Sequence, residues 1–355
     1  MWGKRELASQ IFVRSGLSTL WRKRHRRDRV LVLNYHRIGE PSSSPLDRGV
    51  FSATPESFDW QMAFLKRECQ IITTADLLNE SALVGGNFVV VTFDDGYRDN
   101  HDVALPILRS HGVKATFFVA TGFIDNPHVP WWDEIAWMIR NSPHSELEAS
   151  MSLPINVPFD PPHRQRAIDQ VLAVYKKLPG DVTKQFMEDL AGACGIGRCP
   201  PELGRDLWMT WDMIRNLRDA GMTIGGHTVN HPILSQLPHF QQQEEISGCL
   251  HRLSEELKQP TRFFAYPRGK IDAFNADTRA CLYEAGIERA FTFYGGINLL
   301  GHIDPYDVGR AAVEMETRNE DFEAMVSMRS VFATSNCTGQ SLRTIWREVF
   351  PWPRA

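Results

Sequence analysis

The sequence predicts an α/β protein with a largely parallel sheet, and three observations support this class. From Val30 onward, short β-branched and apolar runs alternate with longer segments of helical periodicity. Polar or turn-forming residues directly follow four of the predicted strands, as they do at the carboxyl ends of parallel strands in catalytic folds. The 355 residues are 43% hydrophobic, which is enough for a real core. We therefore expect one large α/β domain with additions, or two modest domains.

The predicted elements follow one another in strand and helix order along the chain. The predicted strands are 30–35, 88–93, 114–119, 222–225, 262–265 and 289–293. The predicted helices are 55–67, 103–111, 211–220, 241–257 and 277–285. Thr210 is expected to cap the third of these helices.

A long segment interrupts this alternation. From about residue 125 to about residue 206 the chain is rich in Pro and Trp and carries only short helical patches. A compact domain seldom contains such a length of irregular connection unless it forms a lid or a binding surface. The sequence therefore predicts an insertion here.

Charge divides the chain into a basic arm and an acidic body. Residues 1–29 hold nine Lys/Arg and two acids, a net +7 against −4 for the whole chain, which leaves −11 on the remainder. Apolar residues of the arm can form one face of a short helix ahead of a basic run: Leu7, Ile11, Phe12, Leu20 and Trp21. This pattern suits peripheral contact with an anionic membrane, although a solvated terminus explains it equally well. No basic, aromatic-interleaved surface continues into the body, so nucleic acid is not expected as a partner.

Targeting and cysteine usage favour a cytoplasmic protein, with the inner face of the membrane as the surface that the arm would contact. No run reaches the ~18 consecutive apolar residues of a membrane span, and the first residues lack the pattern of a secretory signal. The six cysteines are scattered and do not resemble a disulfide scaffold. Cys194 and Cys199 are close enough to form half of a metal site, but two ordinary thiols are favoured.

Side chains that can carry chemistry cluster at the ends of the predicted strands. Asp94 and Asp95 follow strand 88–93, and His227 and His231 follow strand 222–225. His36 follows the first strand, and Tyr266 and Pro267 follow strand 262–265. Because parallel strands end at one edge of a sheet, these residues are expected to lie on one catalytic rim.

The residue types on this rim are those of a catalytic metal site. Two adjacent carboxylates raise each other's pKa unless a cation neutralises them. Asp95 with two histidines at i and i+4 offers three ligands and leaves coordination positions open. Asp94 then stays ionised and can accept a proton. We expect one divalent ion, with zinc favoured over cobalt, nickel or manganese; the alternatives are a structural Asp-Asp-Gly turn and a chance histidine pair.

Two motifs resemble those of a known family. The segments TFDDGY (92–97) and HTVNHP (227–232) are similar to the first two motifs of the NodB-type polysaccharide deacetylases, carbohydrate esterase family 4. The resemblance implies a distorted (β/α) barrel with a helical insertion, covering about residues 30–320 and followed by a tail, 321–355. It implies that Asp94 is the catalytic base and that Asp95, His227 and His231 hold the metal.

The third motif resembles that of the exopolysaccharide-associated branch. In FFAYPRG (263–269), Ala265 stands where many members have the arginine that orients the base, and Arg268 where many have an aromatic residue. Tyr266, Pro267 and Arg268 are expected to contact the substrate, with a backbone N–H near Arg268 serving the oxyanion. By analogy, Arg310 replaces the family residues that steady the site.

A convincing Leu-x-x-His motif for the general acid is not found near the C-terminus. His36 is the preferred candidate because it follows a strand on the presumed rim, and His302 is the weaker one. The alternative for His36 is a buried structural histidine. Tryptophans in the insertion offer flat faces for sugar rings, or belong to the core: Trp131, Trp132 and Trp137.

By this resemblance, the chain is expected to be a metal-dependent hydrolase. It would remove an N-acetyl or other N-acyl group from an aminosugar-containing polysaccharide, oligosaccharide or lipid-linked glycan. One alternative is another C–N hydrolase on the same fold, such as a deformylase or cyclic amidase. The other is a catalytically weak carbohydrate-binding relative that keeps the metal.

Overall fold

The computed structural model describes residues 4–19, 29–148, 156–158, 160 and 163–328. The strands are β1 Arg29–Tyr35, β2 Arg37–Ile38, β3 Phe51–Ala53, β4 Gln70–Ile71, β5 Asn87–Phe93, β6 Thr116–Val119, β7 Glu146–Leu147, β8 Val157–Pro158, β9 Thr223–Gly226, β10 Phe263–Ala265, β11 Arg289–Phe291, β12 Ile297–Leu299 and β13 Ala311–Ala312. The α-helices are Lys4–Arg14, Pro55–Glu68, Leu105–Ser110, Thr121–Asp125, Trp131–Asn141, Arg164–Tyr175, Thr183–Cys194, Trp211–Asp219, His239–Leu257, Ala276–Glu284 and Asn319–Met328.

Nine strands form one sheet in the order β11-β10-β9-β6-β5-β1-β12, with β13 also paired to β1 and β4 to β5. All of these pairings are parallel except that of β12 with β1. The central strands read as continuous apolar runs because helices cover the outer face while the curled sheet encloses the inner one. The prediction of a largely parallel sheet is confirmed.

The sheet curls into the predicted distorted barrel. Phe291 of β11 forms a parallel bridge with Val308, and Ala311 of β13 pairs with Leu33 of β1. The segment 308–312 therefore links the two ends of the parallel sheet. Apolar side chains from five strands pack together in the interior, among them Val32, Val90, Phe118 and Phe291.

The helices form where caps and apolar spacing predict them. Pro55–Glu68 begins after Thr54, whose side chain accepts from the Ser57 N–H, and it buries Phe58, Met62 and Leu65 on one face. Trp211–Asp219 begins after Thr210, whose hydroxyl oxygen accepts from the N–H of Met213 at 3.3 Å. The predicted cap at Thr210 is therefore confirmed.

The predicted insertion lies between β6 and β9 and contains three of the longer helices, Trp131–Asn141, Arg164–Tyr175 and Thr183–Cys194. A buried carboxylate ties its last part to its first, because Glu134 accepts from Arg198 Nε at 2.6 Å and Nη2 at 2.7 Å. Cys194 and Cys199 are buried free thiols, and neither joins a cluster of three metal-binding side chains among the described residues.

The first and last described helices pack against each other. Arg14 forms an ion pair with Glu320 at 3.3 Å, and the Ser18 hydroxyl donates to Glu323 at 2.7 Å. Phe322 is buried, so Asn319–Met328 packs on the body across the predicted boundary at residue 320. Leu20, Trp21 and the basic run 22–27 lie outside the described residues, and membrane contact stays a prediction. No helix in the described part of the chain combines the length and apolarity needed to cross a bilayer.

Candidate active site

The parallel strands bring three potential metal ligands together. Asp95 follows β5, while His227 and His231 lie on the loop that follows β9. Asp95 Oδ1 lies 3.4 Å from His227 Nε2 and 3.3 Å from His231 Nε2. One ligand atom from each residue lies within 4.8 Å of the other two. We call Asp95, His227 and His231 the ligand cluster.

The backbone that carries the ligand cluster is strained and held in place. Asp95, Thr228 and His231 have φ values of 75°, 67° and 55°, a left-handed conformation that costs a non-glycine residue about 1 kcal/mol or more. The Thr228 hydroxyl accepts from the His231 N–H at 2.9 Å. Glu245, on helix His239–Leu257, accepts from three donors of the same loop at 2.7–2.9 Å.

The ligand cluster fits a divalent cation. Asp95 Oδ1 is buried and has no hydrogen-bond partner among the described residues. His227 Nδ1 lies 2.7 Å from the Ala265 carbonyl oxygen, which can only accept, so the proton is on Nδ1 and a lone pair remains at Nε2. Two imidazole nitrogens and one carboxylate oxygen are the donor set of catalytic zinc and related sites.

The ionisation states of these groups favour cation binding. Burial opposes ionisation of Asp95, but the neighbouring His227 imidazole has the largest of the effects that hold the pKa of its carboxyl below the usual value. Burial lowers the pKa of His231 to about 4, so its ring is neutral at physiological pH. Burial alone would lower the pKa of His227, but the carboxylates of Asp94 and Asp95 raise it.

Asp94, the neighbour of Asp95, is bound by a buried arginine. Arg310 Nη1 and Nη2 each donate to one Asp94 carboxylate oxygen at 2.7 Å, and Asn34 Nδ2 donates at 3.1 Å. Burial would raise the pKa of Asp94, but the Arg310 guanidinium outweighs it and holds the pKa well below the usual range. Asp94 is therefore ionised, and both of its oxygens are engaged by donors rather than by the histidines.

Arg310 comes from the segment that links the ends of the sheet. Its Nε donates to the Thr292 carbonyl at 2.7 Å, and its Nη1 donates to Asn34 Oδ1 at 2.9 Å. The side chain crosses the barrel interior and lies over the Phe118 ring. Arg310 therefore supplies a guanidinium to the buried Asp94, although β10 carries Ala265 at the position where the family often has an arginine.

His36 lies at the same edge of the sheet, immediately after β1. Its backbone N–H donates to Ser52 Oγ at 2.9 Å, and its carbonyl accepts from Asn100 Nδ2 at 2.7 Å. The ring is half-buried against the edge of Phe293, with centroids 5.6 Å apart. Tyr35 pairs with Phe93, and its carbonyl accepts from the Asp94 N–H at 3.0 Å, so His36 and Asp94 follow two paired strands at the same edge.

The third motif supplies backbone more than side chains. The Tyr266 hydroxyl donates to the Tyr306 carbonyl at 2.9 Å, and its ring stacks on Phe274 in a cluster outside the barrel. The ring of Tyr266 is therefore used in packing and its hydroxyl in a hydrogen bond within the fold. Pro267 is buried, while Arg268 is half-buried with φ 61° and pairs with Asp272 at 3.0 Å. The predicted substrate and oxyanion contacts of this motif stay a prediction.

The remaining candidate residues, His302 and Trp132, lie in different parts of the fold. His302 is exposed and follows β12, whose Leu299 pairs with Arg29 at the beginning of β1, the opposite edge of the sheet. Trp132 is buried, donates from Nε1 to the Tyr97 oxygen at 2.8 Å and meets the His231 ring edge-on at 4.7 Å. The Trp132 side chain therefore forms part of the wall of the site and is not an exposed surface for a sugar ring.

Sequence reasoning missed the residues that hold the site from a distance. Asn34 and Glu245 were not singled out, because an asparagine inside a strand and a glutamate on an amphipathic helix carry no local signal. Fold and ligand cluster together define a parallel barrel with a metal-type site at the carboxyl ends of its strands.

Comparison with known proteins gives the family. Residues 84–290 match the model of the polysaccharide deacetylase family, and the chain belongs to that family. Among curated proteins, it is 27% identical over 123 residues to Bacillus subtilis (strain 168) YxkH, a polysaccharide deacetylase by name. That alignment covers 34% of this chain and 42% of YxkH, less than half of the relative.

Solved structures share the fold. Streptococcus pyogenes deacetylase PplD, determined in complex with acetate, is 19% identical with a TM-score of 0.55, over 84% of this chain and 98% of that one. IcaB from Ammonifex degensii is 19% identical with a TM-score of 0.53, over 85% of this chain and 97% of that one. The predicted distorted barrel and the predicted family are thus both confirmed.

Proposed function

We propose that this protein is a metal-dependent deacetylase that removes the N-acetyl group from an aminosugar of a polysaccharide, oligosaccharide or lipid-linked glycan. The observation that carries the proposal is the ionised, buried Asp94 fixed by Arg310 directly beside the ligand cluster. The Asp94 carboxylate can accept a proton while the adjacent ligand cluster binds a cation. Metal-assisted amide hydrolysis uses both functions.

The ligand cluster would hold one divalent ion, with zinc favoured by the two nitrogen donors and one oxygen donor. When bound, the ion supplies a Lewis acid for the acyl oxygen. Asp94 accepts a proton from the attacking water at a carboxylate oxygen. Arg310 and Asn34 orient that carboxylate, and the Arg310 guanidinium keeps it ionised in spite of its burial.

Cleavage of the amide also needs a proton on the leaving nitrogen, because an amide anion is a very poor leaving group. His36 is our candidate donor, since it is half-buried and follows β1 at the edge where Asp94 follows the paired strand β5. The exposed His302 on the opposite edge offers a matched control, because the same substitution there leaves the pocket intact.

The test is acetate and formate release from tetra-N-acetylchitotetraose and from N-formyl analogues. Wild type should release acetate, lose this activity with a chelator and regain it with zinc. Asp94→Asn should retain the metal and lose activity by about 10² or more. His36→Ala should lose most turnover and His302→Ala little. Wild-type release of formate alone would favour a deformylase, and no release from any substrate would reject the proposal.

A further inference from the structure

Three cations flank the ligand cluster on two walls of the pocket, and no step described above uses them. On the first wall, Trp132 lies against His231, Trp131 meets Trp132 at 5.2 Å, and the Lys176 ammonium lies 6.0 Å from the Trp131 ring centre. The Lys176 carbonyl accepts from Gln236 Nε2 at 2.9 Å, which ties this part of the insertion to the segment after His231.

The second wall carries the other two cations. Phe293 contacts His36, and the Lys270 ammonium lies 5.5 Å from the Phe293 ring centre. The Phe293 N–H donates to the Gly269 carbonyl at 2.7 Å, so Phe293 is fixed to the loop that presents Arg268 and Lys270. We call Lys176, Arg268 and Lys270 the cationic cluster.

The members of the cationic cluster have few carboxylates within ion-pair distance. Lys176 and Lys270 are half-buried, and neither ammonium forms an ion pair within the described part of the chain. Arg268 pairs only with Asp272, whose side chain is 62% exposed and therefore well hydrated. An exposed partner of this kind neutralises little charge.

Two neighbouring residues join the two walls, because Ser235 Oγ donates to the Asp272 carbonyl at 2.6 Å and Gln236 Nε2 donates to the Lys176 carbonyl at 2.9 Å. Burial lowers the pKa of Lys176, and the charges of Arg268 and Lys270 lower it further, against the opposing effect of Asp47 and Asp169. Asp47 is itself buried and accepts from the Gly49 N–H at 2.9 Å. Asp47 and Asp169 therefore offset part of the Lys176 charge, whereas the Lys270 ammonium has no carboxylate within ion-pair distance among the described residues. An anion placed between the two walls would neutralise that charge.

We propose that the cationic cluster binds an anionic substituent of the glycan, a phosphate or a carboxylate, next to the sugar whose amide is cleaved. The inference rests on the proposed function and names the class of its substrate. Trp131 stacks on Tyr175 at 4.3 Å and is only half-buried, so the same wall offers a rigid aromatic surface beside the charge. A neutral glycan would leave the half-buried Lys270 ammonium without a counter-charge.

The test compares three tetrasaccharides: tetra-N-acetylchitotetraose, its aldonic acid and its 1-phosphate. Wild type should have a KM about tenfold lower for the charged forms, and added salt should reduce this preference. Lys176→Met and Lys270→Met should each abolish most of the preference and leave kcat on the neutral form unchanged. Lys177→Met, an exposed neighbour of Lys176, is the matched control and should keep the preference.

Binding measured without turnover separates this inference from the proposed function. Calorimetric Kd values for the three tetrasaccharides on the zinc-loaded Asp94→Asn variant should show the same order. A preference for the phosphate alone, or for the carboxylate alone, identifies which anion the site accepts and supports the inference. Equal Kd values for all three ligands overturn it, even if the wild type releases acetate. A charged-ligand preference without acetate release would overturn the proposed function alone.

Discussion

The Arg310–Asp94 pair leads to the sharpest prediction from this structure. The Arg310 side chain is fully buried and that of Asp94 is 4% exposed, so Arg310→Met leaves a carboxylate in the barrel without its counter-charge. Breaking a buried pair from one side costs about 3–5 kcal/mol of the free energy of unfolding. An exposed pair such as Arg262–Glu288 is worth about 0–1 kcal/mol, so Arg262→Met is the matched control.

The assay is urea unfolding of chelator-treated protein, because bound metal would add its own stabilisation. Arg310→Met, Asp94→Asn and the double variant form a double-mutant cycle. The double variant should be more stable than the sum of the single effects predicts, by about 2 kcal/mol or more, because it removes both charges together. A cost of less than about 1 kcal/mol for Arg310→Met would refute the view that this pair is desolvated.

The same substitution should change the pH dependence of activity. In the wild type, Arg310 overcomes the effect of burial and holds the pKa of Asp94 low, so the carboxylate stays ionised at mildly acidic pH. Without the guanidinium, burial raises that pKa. The acidic limb of the kcat profile should therefore move to higher pH in Arg310→Met, and an unmoved limb would show that Arg310 does not control the base.

Three further predictions follow from other contacts. Glu245→Ala should weaken zinc binding about tenfold or more in a chelator competition while the circular dichroism stays unchanged, because the loop of His231 loses three hydrogen bonds; unchanged affinity would contradict this. Burial raises the pKa of Asp133 to about 7 from 3.8, so the folded state retains a proton that the unfolded chain releases. The free energy of unfolding should then fall by about 4 kcal/mol as pH rises from about 4 to 7, and Asp133→Asn should remove that slope. His227→Ala should abolish stoichiometric zinc in elemental analysis, and undiminished zinc would disprove its role as a ligand.

Local signals in the sequence were sufficient for most of the framework. The strands β1, β5, β6 and β9 are apolar runs with β-branched residues, and their order along the chain predicts a parallel sheet. The short strands β12 and β13 were missed because two or three residues show no period. They form where the chain returns alongside β1 and hydrogen-bonds to an existing strand.

The orientation of Tyr266 follows from the alternation of side chains along a strand. Successive side chains of a strand point to opposite faces, so Phe263 and Ala265 enter the barrel interior while Phe264 and Tyr266 pack outside it. The position after a strand therefore predicted a place on the rim correctly. It did not predict where the side chain points.

The sequence by itself determined the α/β class, the succession of the main strands along the chain and the residues of the ligand cluster. It could do so because periodicity and metal-ligand spacing are properties of short segments. Only the tertiary structure decided that Arg310 binds Asp94, 216 residues away in the chain. It also decided that Gln236, which follows the ligand His231, donates to the Lys176 carbonyl of the insertion. Contacts of this kind arise when a sheet curls and its ends meet, and no local pattern records which side chains then face one another.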